Sequence, residues 1–144
     1  MITLKALEDD LRLGGSDDEK GYGGFSPRFW LPADVRFTGR GGRIKPEVNA
    51  VQAGPWVDVS GSFASGKTSG IAMLAHPSLP VFPPPWILRD RASMQNPVYP
   101  GREPVLVSRA QPVVLRYRLV VHRGDAAQAG IDRLQAEYER EPLP

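Results

Sequence analysis

The chain has 144 residues, 18 Lys and Arg against 16 Asp and Glu, no Cys and two His. A chain of this length makes one domain that can bury about 68–70% of its unfolded surface, and the absence of Cys excludes a disulfide framework and a thiolate metal site. The 15 Gly and 15 Pro favour a loop-rich β protein.

The sequence pI is about 9.1, yet the basic residues, 14 Arg and 4 Lys, are scattered. No basic run is interleaved with aromatics, so nucleic acid is not an expected partner. No apolar stretch approaches the roughly 20 residues that cross a bilayer. The N-terminus carries no signal-peptide pattern, so no membrane association and a cytoplasmic location are expected. Neither His lies in a metal-ligand spacing, and no metal or cofactor is expected.

In chain order, Ile2–Leu4 and Leu11–Leu13 are short strand candidates around an acidic spacer. Residues 14–24 hold five glycines and the acidic run Asp17-Asp18-Glu19 beside Lys20. Glycines permit close backbone approach, which predicts a long, shaped loop; such loops often carry function. The segment Phe25–Trp30 reads as an edge strand, with Pro27 forcing an edge or a bulge. Val35–Thr38 is another strand, and Arg43–Val51 offers one or two more.

Gly61–Thr68, GSFASGKT, fits the phosphate-cradling pattern G-x-x-x-x-G-K-[ST]. That cradle requires a helix opening at Gly66-Lys67-Thr68. Gly70 weakens such a start and Pro77 comes too soon for a typical helix. The reading favoured here is a hairpin, with Trp56–Ser62 and Thr68–Ala75 pairing across a loop at Ala64–Lys67. Nucleotide binding through Gly61–Thr68 is the remote alternative.

Residues 77–85 contain five prolines and should run extended, with Phe82 and Trp86 packed down. Trp86–Leu88 is a brief strand, Arg89–Pro100 is irregular, and Val105–Ser108 is short and apolar. Val113–His122 is the longest strand outside the hairpin. Val113, Leu115, Tyr117, Leu119 and Val121 form an apolar face expected to be core; Val114, Arg116, Arg118, Val120 and His122 form a mixed face toward solvent or a groove. Asp125 caps a final helix whose Ala127, Ile131, Leu134 and Tyr138 share one face.

The segments GSDDEKGYGGFSPRF (15–29), GPWVDVSG (54–61), GKTSGIAMLAHPSLPVFPPPWILR (66–89) and LRYRLVVHRGD (115–125) stand in the order found in a bacterial family known as PmoA-like, often labelled methane oxygenase, which the chain resembles over most of its length. The resemblance implies a β-sandwich related to galactose-mutarotase-type proteins, and a chain equivalent to the C-terminal half of longer members. It makes the Gly-Lys-Thr a hairpin feature. The expected fold is an antiparallel β-sandwich with one C-terminal helix, residues 1–144 forming a single domain.

The expected function is binding of a sugar or sugar-like metabolite, or proton transfer upon it. His76, in a His-Pro that the resemblance marks as a site position, is the acid–base candidate, with Asp18 or Glu19 as its carboxylate partner. Asp17, Lys20, Arg28, Trp86, Gln95 and Asn96 are the ligand-binding candidates. Arg presents fixed donors, Trp an apolar ring face, and the amides paired donors and acceptors. The bland readings are a charged turn for the acids, a surface ion pair for Arg28, core positions for Trp56 and Trp86, and a loop-bonded His76. His122 is assigned a surface role. The alternative function is a non-catalytic interaction module. An uncovered apolar face would drive homodimerisation, or pairing with a separately encoded N-terminal half.

Overall fold

In the computed structural model all residues are described except 15–17, 19, 65, 92, 93 and 144. The elements are β1 (Ile2–Leu4), β2 (Arg12–Leu13), β3 (Arg36–Gly39), β4 (Gly42–Ile44), β5 (Trp56–Ala64), β6 (Lys67–Ala75), β7 (Trp86–Leu88), β8 (Gln95–Pro97), β9 (Val105–Leu106), β10 (Val113–Leu115), β11 (Tyr117–Arg123), α1 (Ala126–Ala129) and α2 (Ile131–Tyr138).

The β5–β6 hairpin organises the rest. Its ladder runs from Trp56↔Leu74 to Gly61↔Ser69, shifts register between Gly61 and Ala64, and closes at Ala64↔Lys67. Gly66 takes a left-handed φ of 66° at the tip, which a side chain would resist. Lys67-Thr68 therefore starts a strand, and the helix a phosphate cradle would need is absent from this segment.

The hairpin sits inside a five-stranded antiparallel sheet of order β11-β6-β5-β3-β4. Alternation gives it two buried faces. On one, Val57, Val59, Met73 and Phe37 pack with Trp86 and Leu88 of the antiparallel β7–β8 pair. On the other, Trp56, Ala72 and Leu74 pack with Ala126, Ile131 and Tyr138 of the helices. Each fully buried apolar side chain of this kind contributes about 1.5–3 kcal/mol. The small pairs β1–β10 and β2–β9 flank these layers. The result is mainly β and antiparallel, consistent with a β-sandwich, and carries its helix at the C-terminus.

That helix is in two pieces. Asp125 caps α1 in a reciprocal capping box with Gln128. Gly130, at φ 66°, ends α1 and starts α2. Ile131, Gln135 and Tyr138 then fall on one buried stripe. The indole of Trp56 donates to Asp132 Oδ1 at 3.0 Å, and Gln135 Nε2 donates to the Ala75 carbonyl at 2.8 Å, so two polar side chains of this seam bridge sheet to helix.

Three expectations are corrected. Phe25–Trp30 makes only an isolated bridge, Arg28↔Met94. Arg89–Pro100, read as irregular, contains β8. Val113–His122 is interrupted at Arg116, because its first part pairs with β1 and its second with β6. Tyr117 packs in the core as expected, but from Leu119 onward the assignment of faces is reversed. Leu119 is 48% and Val121 79% exposed, while Val120 packs against the helices, the His122 side chain is 7% exposed, and Arg118 is half-buried beside Tyr138. Arg118 and His122 have internal partners. Arg118 lies 4.3 Å from the Tyr138 ring centroid and bonds both oxygens of Glu141 at 2.6 and 2.7 Å, and His122 bonds Asp58.

Candidate functional site: a polar groove beside the glycine-rich loop

Arg89 is the fixed point of the site. It follows β7, and the Gln95 side chain extends the β7–β8 ladder by one step. Gln95 Oε1 accepts from the Arg89 N–H at 3.1 Å, and its Nε2 donates to the Arg89 carbonyl at 2.9 Å. The Arg89 guanidinium then donates to the carbonyls of Leu88 (2.9 Å), Glu47 (2.8 Å) and Val48 (2.8 Å), and to the hydroxyl of Tyr22 (2.5 Å). It also lies 5.4 Å from the Tyr22 ring centroid. An arginine so committed is a rigid wall.

The neighbouring wall is the glycine-rich loop. The Asn96 amide, fully buried, donates to the carbonyls of Gly23 (2.7 Å) and Phe25 (2.8 Å). A Cβ at Gly23 or Gly24 would stand 2.8 or 2.7 Å from the Tyr99 carbonyl oxygen, so glycine alone permits this approach. Residues 23–25 are thereby held against Asn96 and the Tyr99 carbonyl.

Two hollows open along these walls, and a third lies beside them. One of about 560 Å³ lies between Lys20, Tyr22, Lys45, Glu47 and Arg89. A second of about 380 Å³, lined by Tyr22, Arg28, Arg89 and Met94, adjoins it at Tyr22 and Arg89. The third, about 720 Å³, shares Lys45, Pro46 and Asp90 with the first and runs under β3 and β4. The three adjoin one another through these shared lining residues and are taken together as the groove.

The sequence-derived candidates divide. Lys20 and Arg28 line the groove, and Asp18 sits at its approach, 3.7 Å from Lys20 Nζ. Gln95 and Asn96 lie directly behind, as backbone props. Trp86 is fully buried and donates its indole N–H to the Gly54 carbonyl at 2.9 Å, with no face open to a ligand. Asp17 and Glu19 lie outside the described residues. Tyr22 and Arg89 were missed. The available signal was an arginine directly after the apolar strand Trp86–Leu88.

His76 is elsewhere. It is buried, edge-on to Tyr138, and lines none of the three hollows. Its Nδ1 accepts from the Ser78 backbone N–H at 3.1 Å. Its Nε2 lies 3.2 Å from the Glu141 carbonyl oxygen and 3.2 Å from Arg116 Nη1. Burial pushes the imidazole below its ordinary 6.5, and the Arg116 charge adds to that. His76 is thereby a neutral clip on the C-terminal segment.

A family model described as a family of unknown function (DUF6807) matches residues 1–136. The chain belongs to that family. No curated protein and no solved structure matches it.

In this DUF6807 chain a second titratable pair lies under the helices. His122 Nε2 and Asp58 Oδ1 are 2.7 Å apart, with side chains 7% and 0% exposed. Burial pushes the Asp58 carboxyl up, and the His122 hydrogen bond opposes it. Asp58 Oδ2 has no partner among the described residues. The surface role expected for His122 is thus replaced by a buried one. Among the described residues no three His, Asp or Glu side chains converge as a metal cluster would, and no helix is long and apolar enough to cross a membrane.

Proposed function

We propose that the chain binds a sugar-like small molecule in the groove beside the glycine-rich loop. The carrying observation is the wall made by Tyr22 and Arg89, pinned by four hydrogen bonds from one guanidinium. A pyranose offers an apolar C–H face to the Tyr22 ring that Arg89 holds in place and hydroxyls to Lys20 and Arg28, and a pre-organised wall spares the ordering cost of binding. Lys20 and Arg28 on either side add polar reach. The resemblance to PmoA-like proteins and, through them, to mutarotase-type sandwiches supports the same ligand class, as analogy. His76 stands apart from the groove with both ring nitrogens engaged, so no proton-transfer role is assigned to it.

Titration of the isotope-labelled chain with neutral mono- and disaccharides tests this. Chemical-shift changes should cluster at Lys20, Tyr22, Arg28 and Arg89, and Tyr22→Ala should abolish them. Changes scattered over the sheet, or none at millimolar ligand, would remove the proposal.

The second reading, an interaction module, is favoured by β11. It is an edge strand that pairs only with β6 among the described residues, and it exposes Leu119 and Val121. An antiparallel pairing of two copies centred on Val120 sets Leu119 of one against Val121 of the other, which is self-complementary as a two-fold interface requires. Light scattering of the pure chain and of Val121→Lys would separate a dimer through this edge from a monomer.

A further inference from the structure

The groove collects positive charge far beyond its share. Seven cationic and two acidic side chains line the three hollows, in a chain whose formal net charge is only +2. Arg36, Arg43, Lys45 and Arg91 belong to the hollow under β3 and β4, with Asp90 as its one acid. These four, and Arg28, form no ion pair among the described residues. Cations gathered around a concavity repel one another and raise the local concentration of anions. The floor beneath them is apolar, from Leu31, Val35, Phe37 and Ile44.

We infer that the groove takes an anionic oligosaccharide, a short chain of uronic acids, with its ring faces on this floor and its carboxylates against Arg43, Lys45 and Arg91. The inference rests on the groove being the sugar site and adds the ligand's charge and length. Length follows from the row of adjoining hollows, of about 380, 560 and 720 Å³, which together offer more room than one ring fills. Carboxylates follow from the donors, since guanidinium forks match carboxylate geometry and charge-assisted hydrogen bonds are about twice as strong as neutral ones. Single-stranded nucleic acid is also anionic, but it is held by aromatic platforms on which bases stack. Here the hollows are lined by one accessible aromatic, Tyr22, and Phe37 is only 3% exposed, so they offer no row of platforms for successive bases.

The test is calorimetric titration of the chain with tetragalacturonate and with the same tetramer fully methyl-esterified, which keeps every ring and removes every charge. The acid should bind roughly tenfold tighter or more, and added salt should erode the difference. The double variant Arg43→Gln/Arg91→Gln changes two exposed side chains. It should keep the melting temperature and the affinity for the ester while losing the preference for the acid. Equal affinity for acid and ester would overturn this inference and leave the sugar site standing. Binding of neither would overturn both. A thymidine oligonucleotide of matched charge binding more tightly than the tetragalacturonate would reassign the groove to nucleic acid.

Discussion

Gly70 makes room for the contact between Asp58 and His122. The two residues lie on β5 and β11, on either side of β6, and His122 is in register with Gly70. A Cβ at Gly70 would stand 2.7 Å from His122 Cε1, 2.8 Å from its Nε2 and 3.0 Å from Asp58 Oδ1. The imidazole thus crosses the middle strand through a notch only glycine leaves.

Gly70→Ala should destabilise the chain by about 2–4 kcal/mol, through overpacking and loss of the buried pair together. Denaturant unfolding would read it. His122→Ala should cost a similar amount at neutral pH, because it leaves a buried carboxylate without its partner, and in that variant Gly70→Ala should cost much less. Additive losses would show that the notch does not serve the pair.

Asp58→Asn keeps an acceptor for His122 and removes the ionisation. Burial holds the Asp58 carboxyl above its ordinary 3.8. Its contribution is therefore fully present below that value and is lost as pH rises through the folded-state pKa. The stability of the wild type relative to Asp58→Asn should fall as pH rises through the acid range. A difference rising with pH would contradict the raised pKa.

His76 has the opposite sign. Its pKa lies below the 6.5 of a free imidazole, so its contribution is present above 6.5 and is lost as pH falls through the lower folded value. Amide exchange in residues 139–143 should accelerate over that window, and His76→Ala should remove the pH dependence. A flat profile in the wild type would refute the clip.

Asn96→Ala leaves the Gly23 and Phe25 carbonyls unsatisfied, at about 1–3 kcal/mol. Asn96→Asp should be worse, because it aims a carboxylate at two carbonyl oxygens. Limited proteolysis should cut both variants near residues 21–25. Equal stability of the two would mean that the amide does not hold the loop.

The hairpin was legible because Val57 and Val59 alternate with polar residues, and because Gly70 and Pro77 argue against a helix. The C-terminal helix was legible from its spacing and its Asp125 cap. The face of β11 was not. Alternation ranks Leu119 and Val121 above Arg118 and His122, but the partners that make the latter buriable, Glu141, Tyr138 and Asp58, come from distant positions. The groove was half legible. Lys20 and Arg28 stood out by type and place, whereas Arg36, Arg43, Lys45 and Arg91 converge only once β3, β4 and the segment after β7 are laid together. Scattered cations in the chain become a concentrated field through topology alone. Gly70, an isolated glycine in a strand pattern, was the one local hint of the buried pair.

The residues after α2 have a practical bearing on how this domain can be handled. Glu141 neutralises Arg118 and lends its carbonyl to His76, and the Pro142 carbonyl accepts from Arg116 at 3.3 Å. These three acceptors lie beyond the last helical turn, where an expression boundary drawn by secondary structure would fall. A cut after Tyr138 would take these three acceptors away from the two guanidiniums and the imidazole gathered at the Tyr138 ring. A fusion tag therefore has better ground at Met1, which is 70% exposed, than spliced directly onto the final turn.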